Sequence, residues 1–258
     1  MPTVMISGAK LFYRDEGQGA PLLLIHAFPL NSVMWEPQIA ALAPRMRVIA
    51  PDLPGFGQSN YASGDSSLDR YADTLAALLD HLELDRTAVL GLSMGGYIAF
   101  ALLRRHAVRV SALVLADTKA GADSDEAKAK RTENAAVAMA QGQAAIAERV
   151  LPTLLSPDAP DSLRAHVREL IDANSREGIA AALRSMARRP DSSDMLAGIA
   201  VPTAVIVGEH DTLTPPSESE HLASSIPGAT LTVIPGAAHI SNLEQPEAFN
   251  SALLQFFA

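Results

Sequence analysis

Apolar positions along this chain fall into two recurring patterns. One is a short, nearly unbroken apolar run between Gly, Pro, Asn or Asp residues, which reads as a strand buried on both faces. The other repeats every three or four residues over a longer span and reads as an amphipathic helix. Runs of the first kind occur at residues 21–26, 47–50 and 88–90, and further strands are predicted at 112–117, 203–207 and 230–234. Residues 3–15 predict a hairpin of two short strands around Ser7-Gly8. The helical pattern occupies 32–42, 68–84 (with Leu75, Leu78, Leu79 and Leu82 on one face), the stretch after Ser93 as far as Leu103, 218–225 and 246–257.

Between residues 118 and 195 the strand pattern disappears. Helix-favouring stretches take its place at 127–139, 143–155, 162–175 and 178–188, punctuated by Pro157, Pro160 and Pro190. Strands alternating with helices imply an α/β fold, a mostly parallel sheet covered on both faces. The interruption implies a helical insertion laid over it as a cap. The expected division is a core of residues 1–118 and 196–258 and a cap of residues 119–195. In such sheets reactive groups collect beyond the carboxyl ends of the strands.

Composition narrows the function more than the fold. With 258 residues, 48% of them hydrophobic and 19% charged, the chain can bury a sizeable core. A net charge of −9 with no basic stripe argues against nucleic acid. Arg104, Arg105 and Arg109 fit the end of a helix. There is no cysteine, hence no disulfide and no thiolate metal site, and no His/Asp group has metal-ligand spacing. No apolar run approaches 18 residues, and residues 1–19 lack a signal-peptide core, so the expectation is a cytoplasmic protein with no membrane span, no cofactor and a small-molecule partner.

The segment Gly91-Leu92-Ser93-Met94-Gly95 fits G-x-S-x-G between an apolar run and a helix. Such a turn holds its serine in a strained conformation at the end of the sheet, facing the positive end of the following helix. A Cβ at Gly91 or Gly95 would collide with neighbouring chain. A serine hydroxyl attacks only if a base takes its proton and an acid orients the base. Among seven histidines, His239 follows the 230–234 run through a small-residue loop, where a base facing Ser93 would stand. Asp211 follows the 203–207 run and is the favoured acid, and Asp117, ending the 112–117 run, is its rival. An oxyanion needs two N–H donors. Met94 supplies one and Phe28, in the loop His26-Ala27-Phe28-Pro29, is the candidate for the other.

These segments, with Asp52-Leu53-Pro54-Gly55-Phe56-Gly57-Gln58-Ser59 and Gly208-Glu209-His210-Asp211, occur in the order of the α/β-hydrolase superfamily, which the chain resembles over nearly its whole length. The resemblance implies an eight-stranded sheet, a cap after the sixth strand, a Ser93–His239–Asp211 triad and an oxyanion hole at Phe28 and Met94. Ala27 departs from the Gly that relatives often carry at that position. Haloalkane dehalogenases and epoxide hydrolases of this fold use an aspartate nucleophile, where this chain has Ser93. The closing segment, residues 237–250, is similar to 3-oxoadipate enol-lactonases and related carboxylesterases.

The expected activity is therefore hydrolysis of a carboxylic ester or lactone. A perhydrolase, a C–C bond hydrolase with the same triad, and a non-catalytic ligand receptor of this fold are the alternatives. His26, Trp35, Met139, Met186 and Met195 are candidate pocket residues, and Arg184, Arg188 and Arg189 are candidate cations for an anionic substrate.

Overall fold

The computed structural model describes residues 2–61 and 67–258. The apolar runs and further predicted strands become β3 (Ala20–Ile25), β4 (Met46–Pro51), β5 (Thr87–Leu92), β6 (Val110–Ala116), β7 (Thr203–Gly208) and β8 (Thr230–Ile234), and the amino-terminal hairpin becomes β1 (Thr3–Ile6) and β2 (Ala9–Glu16). All eight form one sheet in the order β1-β2-β4-β3-β5-β6-β7-β8. Strand β2 runs against both its neighbours, and every other pairing is parallel.

The order places the site. From β3 the chain crosses to β4 on one side and later returns to β5 on the other, so the connections leaving β3 and β5 diverge. A crevice opens where neighbouring strands send their connections in opposite directions. The loop holding Phe28 and the turn holding Ser93 leave from those two strand ends.

Period-two alternation decides what packs on each face. Leu23 and Ile25 join Ile49, Val89, Leu113 and Val205 beneath α2 (Leu68–His81) and α3 (Met94–His106). Leu22 and Leu24 join Val48, Leu90, Val114 and Ile206 on the opposite face, under α1 (Glu36–Leu42) and the final helix, residues 246–256. Each large apolar side chain fully buried here contributes about 1.5–3 kcal/mol relative to exposure. Helix α2 starts where Ser67 accepts a hydrogen bond from the Arg70 N–H. It ends at His81, short of Leu84, because Glu83 takes a left-handed conformation at φ 56°.

Between β6 and β7 lie four helices, α4 (Asp125–Gln141), α5 (Gln143–Leu154), α6 (Asp161–Asp172) and α7 (Arg176–Ala187). Asn174, between α6 and α7, fastens them to the core. Its amide donates to the Pro29 carbonyl at 2.7 Å and accepts from the Gly57 N–H at 2.7 Å. Beyond β7 come α8 (Pro216–Ser225), then after β8 the short α9 (Ser241–Glu244), which the hydropathy pattern does not predict, and α10 (Pro246–Phe256). No described helix is long and apolar enough to cross a membrane.

Candidate active site

Ser93 sits between β5 and α3 at φ 55°, ψ −112°. A non-glycine residue there is strained by roughly 1–3 kcal/mol and persists only if its surroundings hold it. The Ser93 N–H donates to the Ala116 carbonyl at 2.9 Å, and the Ser93 carbonyl accepts from the Thr118 hydroxyl at 2.8 Å and from the Gly96 N–H at 2.9 Å. A Cβ at Gly95 would overlap the Ile25 carbonyl, and one at Gly91 would overlap the Gly95 carbonyl. The turn can exist only with glycine at both places.

His239, in the loop after β8, places Nε2 2.8 Å from Ser93 Oγ. Its Nδ1 lies 2.8 Å from Asp211 Oδ2. Asp211 also accepts the Leu213 N–H at 2.8 Å and the Thr214 N–H at 3.0 Å on Oδ1, and the Thr214 hydroxyl at 2.6 Å on Oδ2. A carboxylate saturated by donors is held ionised and fixed in place. It therefore accepts a hydrogen bond from Nδ1–H and keeps the proton on that nitrogen, which leaves the Nε2 lone pair facing the serine O–H.

The charges agree with this tautomer. Burial alone would raise the Asp211 pKa, but His239 and the donated hydrogen bonds outweigh it and hold the carboxyl below its usual range. Burial likewise works against a charged His239, yet the Asp211 charge and hydrogen bond prevail and raise its pKa above the ordinary imidazole value. Asp117, the other candidate acid, makes no hydrogen bond to His239. Its carboxyl accepts the Gly208 N–H at 2.8 Å and the Ser241 hydroxyl at 2.5 Å. Burial, then the neighbouring Asp211 charge, pushes its pKa up to about 8.

Among the described residues, no acceptor takes the N–H of Phe28 or of Met94. Met94 opens α3, where first-turn donors have no partner within the helix. Ser93, His239 and Phe28 line a cavity of about 800 Å³ that extends beneath α4, α5 and α7. Leu154, Leu183, Met186 and Leu213 supply apolar wall, and Lys119, Asp123, Lys130 and Arg131 bring charge to it.

Of the five residues proposed from sequence for the pocket, Met186 lines this cavity and four do not. His26 is fully buried, with Nδ1 bonded to the Ala27 carbonyl at 2.9 Å and Nε2 accepting the Leu53 N–H at 3.1 Å. Burial lowers its pKa, so it serves as a neutral pin between two loops. Trp35 is a core residue among Ile39, Leu42 and Phe249. Met139 lies on the outer side of α4, and Met195 packs against the α2/α3 side of the core.

The candidate cations also move. Arg184 and Arg188 lie outside the cavity lining. Arg189 is buried, paired with Asp123 at 2.7 Å and stacked 4.1 Å over the Tyr97 ring. Arg131, on the other side of Asp123, lines the cavity, as does Arg149 of α5. Sequence reasoning misses Arg131, Thr214 and Tyr97. Tyr97 carried a usable signal, since it stands four residues after Ser93 and so on the same helix face.

Comparison with known proteins agrees with the fold. A family model described as alpha/beta hydrolase fold matches residues 20–246. The chain is 30% identical to 3-oxoadipate enol-lactonase 2 of Acinetobacter baylyi, over 97% of this chain and 94% of that protein. It is 29% identical to haloalkane dehalogenase 2 of Mycobacterium tuberculosis, over 97% and 92%. Among solved structures, a thermophilic esterase from Thermogutta terrifontis with malate bound is 39% identical, with a TM-score of 0.96 over 99% of this chain and 97% of that one.

Proposed function

This chain belongs to the α/β-hydrolase family, and from that membership we propose that it is a serine hydrolase cleaving carboxylic esters or lactones through an acyl-enzyme. The observation that carries the reading is the continuous relay from Asp211 through His239 to Ser93 Oγ, both links 2.8 Å, opening onto one cavity. Ser93 Oγ attacks the carbonyl carbon while its proton passes to His239 Nε2. Asp211 stabilises the imidazolium that results. The N–H groups of Phe28 and Met94 take the oxyanion. His239 then protonates the departing alkoxide, which leaves in an ester and stays tethered in a lactone. A water, deprotonated by the same nitrogen, releases the acid and restores Ser93.

The dehalogenase among its relatives does not favour halide displacement here. An alkyl halide has no carbonyl carbon for a tetrahedral intermediate, and a serine ether formed on Ser93 would have no easy hydrolysis. The cavity wall also carries Asp123, Glu126 and Glu133, with Arg131 paired to Asp123 and Arg149 to Glu133. Within the ester and lactone class, Lys119 and Lys130 are therefore the cations left to favour a substrate that carries a carboxylate away from the scissile bond. The enol-lactonase name of one relative and the malate bound in the Thermogutta esterase accord with that.

Steady-state hydrolysis of p-nitrophenyl acetate, butyrate and octanoate, and of a p-nitrophenyl monoester of a dicarboxylic acid, tests both parts. Wild type should turn over, and Ser93→Ala should be slower by about a thousandfold or more. The carboxylate-bearing ester should have the highest kcat/KM. Equal rates for wild type and Ser93→Ala on every ester would sink the hydrolase reading. Hydrogen peroxide as acyl acceptor and a vinylogous diketone substrate separate the perhydrolase and C–C hydrolase alternatives.

A further inference from the structure

Asp117 follows β6 in a left-handed backbone conformation, φ 44°, with its side chain fully buried and no part in the relay. Its main chain is fixed to the next strand, the Asp117 N–H donating to the Ile206 carbonyl at 2.9 Å. Its carboxyl spans the two loops that bring acid and base together. Oδ1 accepts from Gly208, three residues before Asp211, and Oδ2 accepts from Ser241, two residues after His239. Upstream of His239 the loop is held by the Ala237 carbonyl on the His210 N–H and by Glu244 on the Ala238 N–H. Downstream it is held by the Ile240 N–H on Leu154 of α5 and by Ser241 on Asp117. Asn242 adds ties to Met34 and Gln38 beside α1. Of these downstream ties, Asp117 is the one that leads to the strand ends carrying Ser93 and Asp211.

We propose that Asp117 is a positioning residue: its buried carboxyl clamps the ends of the Asp211 and His239 loops to β6 and so holds His239 on Ser93. The inference rests on the reading of Ser93 and His239 as nucleophile and base. The charged groups around the clamp are Asp211 after β7 and His239 after β8, with Arg131 of α4 acting on His239 from the cavity side. The neutral acid keeps both ties, Oδ1 still accepting from Gly208 while the O–H on Oδ2 donates to Ser241 Oγ in place of the reverse bond. It also puts no second carboxylate in competition with Asp211 for the imidazolium. Asparagine can reproduce the geometry, its carbonyl accepting from Gly208 and its amide donating to the Ser241 oxygen.

The test compares Asp117→Ala, Asp117→Asn and Ser241→Ala with wild type on a p-nitrophenyl ester, and reads the His239 imidazole by 15N NMR in each. Asp117→Ala should lower kcat by about tenfold to a hundredfold while KM stays within about twofold. Asp117→Asn should restore most of that loss, and the His239 signals should broaden or double in Asp117→Ala alone. Wild-type kcat in Asp117→Ala, or an Asp117→Asn as impaired as the alanine variant, would overturn the clamp. Should Asp117→Ala fail to fold, Ser241→Ala decides, with a loss of about threefold to tenfold expected and an unchanged kcat counting against. Should wild type itself lack esterase activity, the NMR comparison still decides the clamp, and only the hydrolase reading falls.

Discussion

Replacing Asp211 by asparagine perturbs the relay with little change of shape. The carboxylate has four donors: two backbone N–H groups on Oδ1, and the Thr214 hydroxyl and His239 Nδ1 on Oδ2. With the asparagine carbonyl in the Oδ1 position the backbone bonds survive. The amide then faces Thr214, which can turn to accept, and His239 Nδ1, which must become an acceptor. That forces the imidazole proton onto Nε2, against Ser93 Oγ, where it blocks proton transfer. Loss of the right tautomer and of charge stabilisation in a triad of this kind costs about a thousandfold to ten-thousandfold in kcat, or ~4–5.5 kcal/mol of barrier. The charge also matters to pH. Asp211 raises the His239 pKa, so in wild type the acid limb of kcat/KM should lie above pH ~6.5. In Asp211→Asn what activity remains should have its limb displaced to lower pH. The assay is kcat/KM on a p-nitrophenyl ester from pH 5 to 10, with a thermal melt to establish that the variant is folded. A folded Asp211→Asn within tenfold of wild type, its acid limb unmoved, would refute the reasoning and return Asp117 as the acid.

Asp117 also bears on stability. Its folded-state pKa near 8 lies far above that of an exposed aspartate, so between about pH 4 and 8 the folded chain keeps a proton that the unfolded chain has lost. Its contribution to stability is complete below pH ~4 and declines by up to ~1.4 kcal/mol per pH unit until pH 8. Denaturant midpoints should therefore fall less steeply with rising pH in Asp117→Asn than in wild type, and parallel curves would contradict this. Trp35→Ala should lower stability by about 3–5 kcal/mol in urea unfolding, because the side chain is fully buried in the core. Its ester chain-length profile should match that of wild type, and an altered profile would place Trp35 in the pocket after all.

Much of this molecule is legible in its residues because the decisive signals are local. Six short runs become the six mutually parallel strands, five of them buried along most of their length as unalternating apolar runs require, while β8 at the sheet edge leaves Leu231 and Val233 exposed. Ser93, Asp211 and His239 are separable from other polar residues by standing just past strand ends, and the structure brings those three side chains within hydrogen-bond distance. What was not legible depends on which way a helix faces. Met139 and Met186 both sit in helical stretches of the insertion, yet one points outward and the other into the cavity. Trp35 belongs to the core because a preceding 3-10 turn, Ser32–Trp35, directs it against the sheet. Arg131 and Arg189 differ only in their place around Asp123, a pairing across 66 residues that no periodicity foretells. The Asp117 clamp escapes for the same reason, joining residues 91 and 124 positions apart.

The most direct test of the central claim is covalent trapping of the nucleophile. Wild type and Ser93→Ala would be incubated with an alkyl fluorophosphonate and measured by intact mass and peptide mapping. One phosphonyl group per chain, on the peptide containing Ser93 and absent from Ser93→Ala, is the predicted result. An unlabelled wild type that still hydrolyses esters, or a label on any other residue, would contradict the assignment of Ser93 as nucleophile.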